Sequence, residues 1–188
     1  MKKILLLIYC LLLSWNANAL EVAGLKLTDS AQLNGVDLVL NGAGTRTKLF
    51  FKVYVAALYL TKKETSAQAI LADENPQRMA LHILLDLTEE QLLNPVMDGM
   101  VDNNTAAEMA AIKIPLKQMV HVFHVVGEVK TGQVMTLDYF PGKGTFISVN
   151  GDARGTIPGE LFHRALMKIW LGDKPVQDDL KLKLLGGR

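Results

Sequence analysis

Apolar positions along this chain recur with two different periods, and the changes of period mark strands at both ends and helices between them. Residues 20–27 and 31–40 read as the two strands of an N-terminal hairpin, separated by the turn cluster Thr28-Asp29-Ser30. Residues 38–60, LVLNGAGTRTKLFFKVYVAALYL, form the most apolar stretch of the chain outside its first residues. Neither Gly nor Pro interrupts it after Gly44, and Phe50, Phe51, Val53, Tyr54, Val55 and Tyr59 favour one long central strand covered on both faces. Ahead of it, Asn41-Gly42-Ala43-Gly44 reads as a glycine turn or a point of close backbone approach.

Residues 65–72 predict a short helix capped by Thr65 or Ser66, and residues 78–87 a strand. Thr88-Glu89-Glu90-Gln91 is a capping box that opens a helix, which Pro95 is expected to split or kink. The Met- and Ala-rich residues 96–112 are helical, broken at Asn103-Asn104 and recapped by Thr105. Pro115 opens a further helix with Leu116, Met119, Val120 and Phe123 on one face, and Gly127 ends it. Residues 133–140, 145–149 and 154–157 predict a meander whose turns are Pro141-Gly142-Lys143-Gly144 and Asn150-Gly151. A helix follows from Glu160 to the stop at Gly172, and a last one covers residues 176–185. Strands at the ends and helices in the middle and at the terminus indicate the α+β class.

The first residues change the count of what must fold. Met1-Lys2-Lys3, an apolar run over residues 4–13 and Ala17-Asn18-Ala19 have the layout of a secretory signal peptide cleaved before Leu20. The run is too short to span a bilayer, which takes about 20 apolar residues, so a mature chain of residues 20–188 without an integral membrane segment is expected. The only cysteine, Cys10, lies within this leader, and bulky Tyr9 beside it argues against lipid attachment there. The mature chain therefore has no thiol, disulfide or thiolate-zinc chemistry. Losing Lys2 and Lys3 leaves 18 basic and 19 acidic residues, a net charge of −1 with no large patch of one sign, which disfavours nucleic acid and anionic membranes as partners.

Candidate chemistry is sparse. His121 and His124 stand three apart but lack a third ligand at a useful spacing, and read as exposed; His82 lies in an apolar strand, and His163 beside Arg164 reads as a surface residue. No serine sits in a nucleophile elbow, and the acids Asp86, Glu89, Glu90 and Asp138 form no catalytic pair. Neither a metal nor a cofactor is expected. The exception is Arg46, between Thr45 and Thr47 at the mouth of the apolar stretch. A guanidinium beside apolar walls binds a planar carboxylate through two hydrogen bonds, although an arginine in such a place also caps loop carbonyls or pairs with a local acid.

Three segments, NGAGTRTKLFFKVYVAALYL at 41–60, LDYFPGKGTFISVNG at 137–151 and GELFHRALMKIWLGDKPV at 159–176, resemble the chalcone isomerase-like family, in particular its secreted bacterial branch. The resemblance implies an open-faced β-sandwich, a large antiparallel sheet covered by a layer of helices with a ligand cleft between. Family members either cyclise chalcones or bind fatty acids, and Arg46 matches the arginine of both groups. Tyr54 stands where the fatty-acid binders carry tyrosine and the isomerases threonine, and residues 87–115 contain no tyrosine to organise a catalytic water. The resemblance thus implies a periplasmic, non-catalytic binder of an amphipathic carboxylate, most simply a fatty acid. In that reading Arg46 and Tyr54 hold the headgroup, and Phe50, Val53, Leu58, Met97, Met100 and Met109 line the tail. The alternatives are an isomerase or lyase acting on a chalcone-like enone, and an envelope interaction protein with a filled cleft. A straight strand would hold Arg46 and Tyr54 about 26 Å apart, at about 3.3 Å per residue, so a shared ligand requires a turn or bulge between Thr47 and Lys52.

Overall fold

The computed structural model describes residues 20–187, so the leader with Cys10 lies outside the described residues. Seven strands form one antiparallel sheet in which spatial order equals chain order: β3 (Ser30–Leu33), β4 (Val36–Lys48), β5 (Phe51–Leu60), β6 (Gln77–Ile83), β7 (Val134–Phe140), β8 (Gly144–Val149) and β9 (Asp152–Ile157). A separate small hairpin of β1 (Leu20–Val22) and β2 (Leu25–Leu27) precedes it. The helices are α1 (Ala67–Ala72), α2 (Glu89–Asn103), α3 (Ala106–Ala111), α4 (Lys113–Val126), α5 (Glu160–Leu171) and α6 (Asp178–Leu184). This is the α+β, helix-covered antiparallel sheet that the sequence implies.

The apolar run of β5 follows from cover on both faces. Ala56, Leu58 and Leu60 belong to the helix-side core, with Met79, Leu81 and Ile83 of β6 and Met135 and Leu137 of β7. Val55, Ala57 and Tyr59 alternate to the other face, where they pack in a second cluster with Leu33, Leu38 and Leu40 of the neighbouring strands and Leu27 of the small hairpin. Farther along that outer face, Arg78 and Asp138 sit opposite each other on β6 and β7 and form a bidentate ion pair at 2.6 Å.

The long central strand predicted over residues 38–60 is instead two strands. Leu49 and Phe50 form a two-residue turn, with Lys48 and Phe51 as the last paired positions and Leu49 at φ 56°. Asn41-Gly42-Ala43-Gly44 is not a turn but the interior of β4. A Cβ on Gly42 would fall 2.0 Å from the Lys183 carbonyl oxygen of α6, so glycine is there for close approach. Asn41 is the extra residue of a bulge opposite β5; its amide donates to the carbonyls of Glu64 and Leu184 at 2.9 and 2.8 Å, tying α6 to the strand.

The N-terminal region also differs from expectation. Residues 20–27 turn at Ala23-Gly24 into β1 and β2, and residues 30–40 turn at Asn34-Gly35, both pairs at positive φ. Strand β6 ends at Ile83, earlier than predicted. The Thr88–Gln91 and Thr105–Glu108 capping boxes are both formed. Helix α2 runs through Pro95 without a break, since a proline in the second turn removes a single hydrogen bond and α2 is held along its length by α5. His163 is buried in α5, not exposed: its ring stacks on Tyr139 at 4.0 Å, and its nitrogens face Thr145 and Gln77 at 3.4 Å. Burial, followed by the charge of Arg164, lowers its pKa to about 3.

Candidate functional site

Helices α2, α4 and α5 do not close completely over the sheet, and the gap is a cleft of about 450 Å³, within the size range of small-molecule sites. Its sheet side is formed by Leu81, Ile83, Met135 and Leu137, and its helix side by Leu92, Val96, Phe123, Leu166, Ile169 and Trp170. The β4–β5 hairpin forms one lip through Arg46, Lys48, Leu49, Phe51, Val53 and Tyr54. Exposed Glu90, Gln91, Asn94, Pro95 and Asp98 of α2 form the other.

The turn at Leu49-Phe50 decides the geometry of the candidate pair. Because the chain folds back there, Arg46 and Tyr54 are direct cross-strand partners. Side chains at such positions lie on the same face within about 5.5 Å at Cβ, in place of the separation along a straight strand. The register then slips by one, so that Thr47 pairs with Lys52 and Val53 is the bulged residue. Chain neighbours Val53 and Tyr54 consequently both line the cleft, which regular alternation forbids.

Arg46 is half-buried and held from one side. One terminal nitrogen donates to the Thr47 carbonyl at 2.6 Å and to Gln177 Oε1 at 3.2 Å. Gln177, just before α6, also accepts from the Thr47 backbone N–H at 2.9 Å and donates to the Thr45 carbonyl at 3.2 Å, so it clamps the strand at the arginine. No carboxylate lies within ion-pair distance of Arg46 among the described residues. Its Nε and second terminal nitrogen have no protein partner there, which leaves a donor edge of the fork open.

Tyr54 is held by a residue that the sequence reading did not select. Trp170 Nε1 donates to the Tyr54 hydroxyl oxygen at 3.1 Å. An indole N–H only donates, so the phenolic proton stays available to a second acceptor. Burial raises the Tyr54 pKa against the opposing effects of the Trp170 hydrogen bond and the Arg46 charge, and the phenol is neutral near pH 7. The lip thus presents a fixed positive fork and a neutral O–H donor side by side above apolar walls.

The other expected lining residues divide. Val53 lies on the cleft wall. Phe50 stands outside it at the hairpin tip, 96% exposed. Leu58 is fully buried farther along β5, inside the helix-side core and away from the cleft. Met100 is likewise buried, and Met97 and Met109 pack against that core; these three methionines belong to the core and none of them lines the cleft. The sequence reading also missed Gln177, Trp170 and the β6–β7 floor. An indole in an apolar helix needs an acceptor for its N–H, and that was the available signal for Trp170. His121 and His124 are exposed, the latter 3.1 Å from Glu89, and no cluster of three or more metal-ligating side chains occurs among the described residues.

The sequence matches the chalcone isomerase-like family over residues 19–186. A fatty-acid binding protein of Arabidopsis thaliana has a similar solved structure, with a TM-score of 0.65, 14% identity, and coverage of 86% of this chain and 92% of that one. At that identity the likeness is one of fold. No curated protein matches the sequence.

Proposed function

The chain belongs to the chalcone isomerase-like family, and we propose that it uses the cleft of this fold to bind a small amphipathic carboxylate, most simply a fatty acid, without chemical conversion. The observation that carries this reading is the Arg46–Tyr54 cross-strand pair on the lip of an apolar cleft, with the guanidinium unopposed by any acid among the described residues. A carboxylate placed there accepts from the free edge of Arg46 and from the Tyr54 hydroxyl, while its chain replaces water against Leu81, Ile83, Leu137 and Ile169. Each methylene so buried contributes about 0.8 kcal/mol, so affinity rises with chain length until the cleft is full. The fold shared with a fatty-acid binding protein supports the choice of ligand.

The leader over residues 1–19 belongs to the same proposal: it directs the chain to the periplasm, where a cysteine-free protein with no membrane-crossing helix among its described residues carries the ligand between sites. The amino terminus of the protein isolated from a periplasmic fraction is then Leu20.

Cleavage there leaves Trp170 as the only tryptophan, and it lies on the cleft wall, so intrinsic fluorescence reports binding directly. Titration with saturated fatty acids of increasing length should give a saturable change with affinity rising along the series. Arg46→Ala should weaken binding by about tenfold to a hundredfold, the worth of a charge-assisted hydrogen bond, and Arg46→Lys by less. A cleft that gives no response to any fatty acid, or Arg46→Ala with undiminished affinity, defeats the proposal.

A further inference from the structure

The turn that brings Arg46 and Tyr54 together carries a second property. Leu49, Phe50 and Phe51 are consecutive and are 82%, 96% and 62% exposed. Other exposed large apolar side chains, such as Ile114, Leu161 and Leu182, have no exposed large apolar neighbour next to them in the chain. An unbroken run of three at the end of a projecting hairpin is a surface that water disfavours and that an interaction covers.

Three observations identify the occupant. First, the tip is bracketed by Lys48 and Lys52, both exposed, with Arg46 behind them, and no acidic residue occurs anywhere in residues 38–63. Apolar and aromatic side chains between cations match the interface of an anionic bilayer, where rings enter the headgroup boundary and lysines meet phosphates. The two acids that line the cleft, Glu90 and Asp98, stand on α2, the opposite lip. Second, Leu49 and Phe51 also line the cleft, as does Leu85, which is 40% exposed, so apolar side chains of the tip, beside Lys48 and Arg46, are part of the mouth of the site. Third, Leu49 occupies a left-handed conformation at φ 56°, where glycine is favoured and a branched side chain is strained. Folding alone selects against leucine there, and an exposed leucine returns no packing in exchange.

We propose that the Leu49-Phe50-Phe51 tip inserts into the interface of an anionic phospholipid membrane, setting the mouth of the cleft against the bilayer surface. An amphipathic ligand then passes between bilayer and cleft without crossing bulk water. The docking itself requires no ligand and stands whether or not the cleft binds fatty acid.

The test is co-sedimentation of the chain beginning at Leu20, which contains every element of the fold, with phosphatidylcholine vesicles made with and without phosphatidylglycerol. The protein should bind the mixed vesicles, bind pure phosphatidylcholine more weakly, and dissociate at high salt. Phe50→Ser should lower partitioning by about tenfold or more. Lys48→Glu with Lys52→Glu should remove the dependence on phosphatidylglycerol. Leu49→Gly is the discriminating variant: it relieves the backbone strain, so thermal stability holds or rises while vesicle binding falls. Failure of the unaltered chain to bind mixed vesicles overturns the proposal, as does unchanged binding by Phe50→Ser or Leu49→Gly. A protein that is dimeric in sedimentation velocity, becomes monomeric on Phe50→Ser and ignores vesicles also overturns it, assigning the tip to a second copy of the chain.

Discussion

Replacing Gly42 by alanine adds one methyl group at the most crowded point between the sheet and α6. The new Cβ would sit 2.0 Å from the Lys183 carbonyl oxygen and 2.7 Å from that of Leu184. Both are backbone atoms, so no side-chain rotation relieves the clash, and restoring a contact of about 3.5 Å requires the end of α6 to retreat by about 1.5 Å. That movement unseats Leu180 and Leu184, each 0% exposed, whose full burial is worth about 1.5–3 kcal/mol apiece. It also stretches the Asn41 hydrogen bond to Leu184, a further loss of about 1 kcal/mol. Alanine recovers about 0.5–1 kcal/mol by restricting the unfolded chain. With about half the leucine burial lost, the net cost is about 2.5 kcal/mol, a large part of a stability of about 5–15 kcal/mol. Gly44→Ala meets Leu180 Cδ1 and Lys183 Cβ at 3.0 Å and Lys183 Cδ at 3.1 Å; the two δ-carbons can rotate away and the Cβ contact needs a shift of only a few tenths of an ångström, so the cost should be about 1 kcal/mol. Urea unfolding followed by circular dichroism measures both. A Gly42→Ala loss under about 1 kcal/mol, or no difference between the two variants, would refute the close-approach argument.

Two further outcomes follow from buried polar groups. Between its folded pKa of about 3 and its ordinary 6.5, His163 takes a proton only when the chain unfolds. Its stabilising effect is therefore complete above about pH 6.5 and declines on acidification by about 1.4 kcal/mol per unit, or about 2 kcal/mol by pH 5. His82, whose pKa burial also lowers, adds in the same direction. Denaturant midpoints at pH 7 and pH 5 should show this loss, and His163→Gln should remove most of it; an unchanged slope in that variant assigns the pH dependence elsewhere. Trp170→Phe removes the donor that orients Tyr54 and should weaken fatty-acid binding by about threefold to tenfold in a calorimetric titration. Tyr54→Phe should cost a similar factor and the double variant little more, because both remove parts of one arrangement; full additivity would mean that Trp170 does not position Tyr54.

Where a residue type enforces local geometry, the sequence was legible. Thr88, Thr105, Gly127 and Asn150-Gly151 cap or turn the chain at their predicted places. The β4–β5 turn was not, because its central residues are Leu49 and Phe50 and no turn-forming type announces them. The glycines upstream left a turn and a close approach both open, and the sequence could not decide between them because the partner of Gly42 lies in α6 at the far end of the chain. Asn34-Gly35 was a hairpin signal within a stretch read as one strand. His163 was misplaced because α5 is buried on nearly every side, so a polar residue in it has no solvent face to occupy. At the site, the need for a bend between Arg46 and Tyr54 was readable from strand geometry. Gln177 and Trp170 were not, since they reach the strand from the start of α6 and from α5, more than a hundred residues later.

The agreement of spatial and chain order in the sheet bears on how the molecule assembles. Two-residue turns join β3 to β4, β4 to β5 and β8 to β9, and three residues join β7 to β8, so both flanks of the sheet are built from neighbouring segments. Only the β6–β7 seam closes over a long excursion, residues 84–133, which carries α2, α3 and α4. Loop closure over such a length is the slow event in a sheet whose other pairings are local. Leu81, Ile83, Met135 and Leu137 flank that seam and form the cleft floor, so the binding surface exists only once the last and most distant pairing has zipped. The cleft floor therefore straddles the seam with the longest connection in the sheet, and occupancy of the cleft would act as a latch across it.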